Sequence, residues 1–131
     1  MNTSNLLAVG IGGACGTIFR VLIAHILPTS ILQLPLKILI INILGCFTLG
    51  MLTEFMACYW SPSALIRSFL IPGFLGGFTT FSAFSLEYAL LVKRNFFSWA
   101  MLYAMLSFCL TIIAFFIGMK IIKICYNYNL P

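Results

Sequence analysis

A chain of 131 residues with 63% hydrophobic and 7% charged side chains does not have the surface of a soluble domain, which carries roughly a quarter charged residues. A spanning helix needs about 20 apolar residues to cross a hydrocarbon slab about 30 Å thick. The length therefore fits about four spans with short connections and leaves no room for an extramembrane domain, which excludes a soluble enzyme, a nucleic-acid binder and a secreted disulfide scaffold.

The net charge of +5 comes from Arg20, Lys37, Arg67, Lys93, Arg94, Lys120 and Lys123 against two acids. These basic residues are scattered and offer no face that could track a phosphate backbone. They read as anchors at the membrane edge. The five cysteines are odd in number and form no C-x-x-C pair, which speaks against a disulfide framework or a zinc site. They are expected to be buried apolar thiols. The opening MNTSNLLAVG has no basic n-region and Arg20 interrupts its apolar run, so no cleavable signal is expected.

In chain order, a first span is expected over residues 6–27, ending at Pro28-Thr29-Ser30. A second covers residues 35–58, with Tyr59-Trp60 placed like an interfacial aromatic belt. A third runs over residues 64–92 to Lys93-Arg94-Asn95, and a fourth over residues 97–124 before a short polar tail. Runs of this length without period-two alternation are helices, because lipid admits only helices and closed barrels. The fold class is an all-α membrane protein with four transmembrane helices.

The third span is interrupted. Its middle reads Ile71-Pro72-Gly73-Phe74-Leu75-Gly76-Gly77-Phe78-Thr79-Thr80-Phe81. Proline lacks a backbone donor and glycine weakens a helix interior by about 1 kcal/mol. A helix broken mid-membrane frees carbonyls that protein, water or an ion must satisfy, and discontinuous helices of this kind build ion sites in transporters. A proline kink with glycines for close packing is the plainer alternative.

Orientation follows the distribution of Lys and Arg. One side of a four-span chain holds Arg67, Lys120 and Lys123, and the other holds Lys37, Lys93 and Arg94. The balance predicts insertion both ways up and an antiparallel dimer; the alternatives are that one lysine outweighs another by position or that a partner fixes the orientation.

Polar residues within spans are candidates for function. Arg20 shares a helix face with Gly12 and Gly16, and faces either protein or a wet vestibule, or snorkels to the interface. Asn42 can donate to an anion or bond across helices. Tyr103, Ser107 and Thr111 recur every four residues and put one polar stripe on the fourth span. One such hydroxyl commonly bonds back to its own helix; three in register describe a water- or ion-lined track. Phe81 and Phe84 point the same way, and paired ring edges can hold a small anion, although phenylalanines at this spacing more often pack a core. Glu54 and Glu87 stand near no histidine or second acid, so no enzyme is expected.

The run Gly76-Gly77-Phe78-Thr79-Thr80-Phe81-Ser82-Ala83-Phe84-Ser85-Leu86-Glu87 closely resembles the G-G-x-T-T-F-S-T-F-S-x-E signature of the CrcB/Fluc fluoride channel family. The opening Gly12-Gly13-Ala14-Cys15-Gly16-Thr17-Ile18-Phe19-Arg20 resembles its G-G-x-x-G-x-x-x-R start. Asn42-Ile43-Leu44-Gly45 resembles its N-x-x-G, and the stripe of the fourth span its Y-x3-S-x3-S/T. Two departures stand out: Ala83 replaces a usual threonine, and Lys37-Ile38 replaces a common Gly-Thr pair.

The resemblance implies a dual-topology antiparallel homodimer in the inner membrane that exports fluoride passively through two narrow pores. Asn42, Phe81, Phe84, Ser107, Thr111 and Tyr103 would line each pore, with Ser82 and Ser85 beside the rings. Arg20 and Glu87 would sit nearer the entrances. A structural sodium ion (Na+) would be held between subunits by the backbone carbonyls of Gly76 and Thr79. The partners implied are fluoride, a second copy of the chain and the lipid bilayer, with no nucleic acid.

Overall fold

The computed structural model describes residues 2–28, 30, 31 and 33–128. The expected turn residue Thr29 and the end of the polar tail, Asn129 to Pro131, lie outside the described residues. In chain order the elements are α1 (Thr3–Ile26), β1 (Ser30–Ile31), β2 (Leu34–Pro35), α2 (Leu36–Cys58), α3 (Ala64–Ser68), a π-helical stretch (Phe69–Leu75), α4 (Gly76–Phe78), α5 (Phe81–Lys93) and α6 (Phe97–Tyr128). Four helical runs are long and apolar enough to cross a membrane: Thr3–Ile26, Leu36–Cys58, Ala64–Lys93 and Phe97–Tyr126. The chain is a multi-pass membrane protein.

The turns carry the local chemistry their positions require. Ser63 accepts a hydrogen bond from the Ile66 amide and caps α3, the usual task of a serine at that position. Asn95 turns the chain between α5 and α6 with φ 61, a left-handed conformation that asparagine tolerates. Between the first two spans lies an element the apolar pattern does not announce. Ser30 pairs with Pro35 and Ile31 with Leu34 in a two-residue antiparallel ribbon, turned at Gln33 with φ 72.

The third span breaks within the expected stretch, at its end. Pro72 and Gly73 do not unwind the helix. They lie in the π-helical stretch, at whose end the Gly76 amide reaches back five residues to the Ile71 carbonyl. Wider winding of this kind accommodates a missing donor in the ladder. The chain leaves the helix only at Thr79 (φ −81, ψ 155) and Thr80 (φ −153, ψ 124), both extended. Close packing on α1 accompanies the π winding. A Cβ on Gly12 would run into the Phe69 carbonyl oxygen, and one on Gly16 into that of Phe74. Backbone thus lies on backbone, as small residues permit in membrane bundles.

The second and fourth spans pack along their length, with Gly50 against the backbone of Phe115 and Gly118 against that of Phe47. A buried cluster of Leu39, Leu91, Ala100 and Tyr103 ties α2, α5 and α6 together. Large apolar side chains such as Ile18, Phe81, Met105, Phe108 and Phe116 are exposed on the single chain. That surface suits lipid or a partner, not water. It also corrects the expectation of buried thiols. Cys15, Cys109 and Cys125 are exposed, and only Cys46 and Cys58 are half-buried, because a lipid-facing apolar side chain needs no protein cover.

A cavity at the break in the third span

The break opens one side of a cavity of about 680 Å³. Asn42 and Cys46 of α2 line it one helical turn apart. Gly76, Thr79 and Thr80 come from the break, Phe81 and Phe84 from α5, and Ser107 and Thr111 from α6. Residues spread over seventy positions of sequence therefore share one wall, as the signature and the four-residue spacing on α6 suggest.

Asn42 holds the break. Its Nδ2 donates to the Thr80 carbonyl at 3.0 Å, and its Oδ1 accepts from the Thr80 amide at 2.9 Å. An amide side chain has two N–H donors, and this clamp engages one of them. One turn along, Gly45 leaves the space that the Thr79 methyl occupies. Thr79 itself is tied back, its amide and hydroxyl both reaching the Leu75 carbonyl at 2.9 Å. Thr80 then starts the next helix by accepting from the Ala83 amide at 3.3 Å.

These bonds decide which carbonyls are left over. In a continuous helix the Gly76 carbonyl would receive the Thr80 amide and the Thr79 carbonyl that of Ala83. The first amide goes to Asn42 Oδ1 and the second to Thr80 Oγ1. Among the described residues no backbone bond outside the regular helices reaches either carbonyl. Hard oxygen donors free of their helical partners are what a cation such as sodium needs. The residues fit the ion that the resemblance implies.

On α6 the three hydroxyls behave differently. Ser107 is 9% exposed, and its Oγ has no hydrogen-bond partner among the described residues. A buried polar atom without a protein partner calls for a water or an ion. Thr111 donates back to its own helix, to the Ser107 carbonyl at 2.6 Å and that of Phe108 at 3.1 Å. Tyr103 is fully buried, donates to Glu87 Oε2 at 2.6 Å, and stacks on Phe84 with ring centroids 5.2 Å apart. Neither Tyr103 nor Glu87 lines the cavity. The Phe84 ring in turn lies 5.1 Å from that of Phe81, which is 78% exposed.

A second cavity of about 540 Å³ is basic. Arg20 and His25 of α1 and Lys37 of α2 line it, together with Thr80 and Ser82. Thr80 belongs to both cavities, and its hydroxyl lies 3.0 Å from that of Ser82. Ser85 lines neither cavity and donates to the Phe81 carbonyl at 3.0 Å. The sequence singles out Asn42 and the α6 stripe but gives Thr80 no role of its own. A threonine immediately before a restarting apolar helix is a capping signal that could have marked it. Lys37 stands out in the sequence only as a departure, yet it shares the basic cavity with Arg20.

Four spans, a broken third helix and a cavity that carries Asn42, Ser107 and Thr111 among apolar side chains define a small multi-pass membrane protein. The chain belongs to the CrcB family: residues 7–119 match the model described as CrcB-like protein, Camphor Resistance (CrcB). It is 39% identical over 122 residues to a protein of Rhodospirillum centenum named fluoride-specific ion channel FluC, covering 90% of this chain and 94% of that one. Proteins of the same name from Francisella tularensis subsp. mediasiatica and Chelativorans sp. are 38% identical over 126 residues and 40% over 116 residues. These matches cover 93% and 88% of this chain, and 97% and 93% of the respective relatives. These relatives are named as ion channels, a class that is not enzymatic.

Proposed function

We propose that this protein is a fluoride-selective passive channel of the inner (plasma) membrane. It exports fluoride and lowers its cytoplasmic concentration as an antiparallel, dual-topology homodimer. The observation that carries the reading is the convergence of Asn42, the partnerless Ser107 hydroxyl and the Phe81–Phe84 pair on one cavity. The names of the relatives supply the ion.

Fluoride is small and strongly hydrated, so a selective path must replace its water with several weak donors. Here the donors are the remaining Asn42 N–H, the Ser107 hydroxyl and the positive edges of Phe81 and Phe84. Thr111 offers its hydroxyl oxygen to waters that accompany the ion. None of these groups carries a full charge, so the ion is bound loosely enough to leave. Arg20 and Lys37 raise the local anion concentration at the basic cavity, which shares Thr80 with the cavity at the break. Glu87, with Ser82 and Ser85, shapes the surroundings of the phenylalanine pair.

The homodimer is supported by the balanced Lys and Arg count and by the exposure of Phe81, which a partner chain would cover. Bound between the subunits by the Gly76 and Thr79 carbonyls of both chains, sodium would supply a fixed positive charge beside each path. The test is fluoride efflux from liposomes holding the purified protein, read with a fluoride electrode beside a chloride electrode. Fast fluoride release with little chloride is the expected result. No fluoride release from an intact dimer overturns the reading.

A further inference from the structure

We propose that Asn42 is the residue that keeps the sodium site open, by withdrawing the Thr80 amide from the Gly76 carbonyl. The inference rests on the sodium reading above and adds a role for this chain's own side chain.

Every buried amide finds an acceptor, and the Thr80 N–H has two within the logic of the chain. One is the Gly76 carbonyl, its partner in a continuous α-helix. The other is Asn42 Oδ1, which takes it at 2.9 Å. The choice decides whether the third span is wound or broken at this point. Asn42 secures its choice from both sides, because its Nδ2 also holds the Thr80 carbonyl at 3.0 Å. The paired bonds fix the orientation of the side-chain amide, since the reverse placement would set donor against donor and acceptor against acceptor.

Gly45 supports the same arrangement, giving the Thr79 methyl a seat that any larger residue would fill. The Thr79 carbonyl is released independently, because the Ala83 amide turns to Thr80 Oγ1 at 3.3 Å. Without Asn42, one of the two carbonyls regains its helical donor and the ligand set is halved. Asn42 is thus a positioning residue for the cation as well as a donor facing the cavity.

The test compares sodium-dependent melting of the purified dimer for native protein, Asn42→Asp, Asn42→Ser and Asn42→Leu. Melting is measured in sodium chloride and in choline chloride of equal ionic strength. A ligand bound only by the folded form raises the melting temperature with its concentration. Native protein is expected to melt higher in sodium than in choline. Asn42→Asp still accepts from the Thr80 amide but sets its second oxygen against the Thr80 carbonyl, and keeps part of that difference. Asn42→Leu loses it, whatever its melting temperature in choline. Asn42→Ser, too short to reach Thr80, loses it likewise and carries the test if the leucine variant does not assemble.

A merely structural role would lower all melting temperatures and leave the sodium difference intact. That result, in Asn42→Leu or Asn42→Ser, overturns the proposal. No sodium difference in native protein would overturn the sodium reading together with this one. Fluoride efflux enters none of these readouts, so the channel reading stands or falls separately.

Discussion

Tyr103 and Glu87 are joined by a 2.6 Å hydrogen bond across the contact between α5 and α6. The Tyr103 ring is fully buried and lies against Phe84 at 5.2 Å. One residue therefore fixes both the carboxyl group of α5 and the inner face of the phenylalanine pair. Removing the hydroxyl with Tyr103→Phe keeps the ring and strands a carboxyl group. A destabilisation of about 1–3 kcal/mol is expected from the unsatisfied partner, read as loss of the purified dimer on heating. Glu87→Gln still accepts from the hydroxyl and should cost less; equal losses would show that the bond is not what holds this contact.

The two phenylalanines should separate in their effects. Phe84 packs on Tyr103, whereas Phe81 stands 78% exposed on the single chain. Both Phe81→Ile and Phe84→Ile should cut fluoride efflux strongly, because an aliphatic side chain has no positive ring edge. Only Phe84→Ile should also lower melting. Efflux at the native rate from either variant would remove that ring from the path.

Backbone contact between α1 and the π-helical stretch predicts an asymmetry among glycines. A Cβ at Gly16 meets the Phe74 carbonyl, while one at Gly10 meets nothing within 4 Å. Gly16→Ala should force the helices apart, at a cost of about 1–3 kcal/mol or more. Gly10→Ala should be neutral or gain up to about 1 kcal/mol of helix propensity. Size-exclusion profiles of the two variants after mild heating provide the comparison.

Lys37 should matter through its charge. At an ionic strength of 0.01 M the screening length is about 30 Å, and at 1 M about 3 Å. Lys37→Gln should therefore slow fluoride efflux at low ionic strength and match the native rate at high. A slowing that does not depend on ionic strength would point to packing instead.

Tags placed at the C-terminus should be found on both faces of the membrane, since the flanking Lys and Arg balance. Labelling on one face only would refute the antiparallel homodimer.

The helical spans were legible because lipid leaves apolar runs of this length few structures to adopt. The interruption of the third span was legible as a region and not as a position. Pro72 draws attention in the sequence, yet the π-helical winding absorbs it and the chain opens seven residues later, at Thr79. That winding packs on Gly12 and Gly16 of another helix, a pairing that no pattern around Pro72 encodes. On α6 the four-residue spacing correctly groups the hydroxyls on one face. It cannot tell that Thr111 bonds to its own helix, that Tyr103 is committed to Glu87, or that the Ser107 hydroxyl has no hydrogen-bond partner among the described residues. The Asn42–Thr80 pair is bridged over 38 positions. Periodicity carries no information over such a distance, and nothing in the sequence pairs the two.

Thr80 lines both the basic cavity and the cavity at the break. In a channel that runs through both, the two compartments would act as resistors in series: their resistances add, so widening either chamber cannot compensate for a tighter junction at the residue they share. The same residue caps α5 through its hydroxyl, donates its amide N–H to Asn42 Oδ1 and accepts from Asn42 Nδ2 at its carbonyl. A substitution there removes the cap and reshapes the wall of both cavities at once, leaving the chain little freedom to tune one without the other.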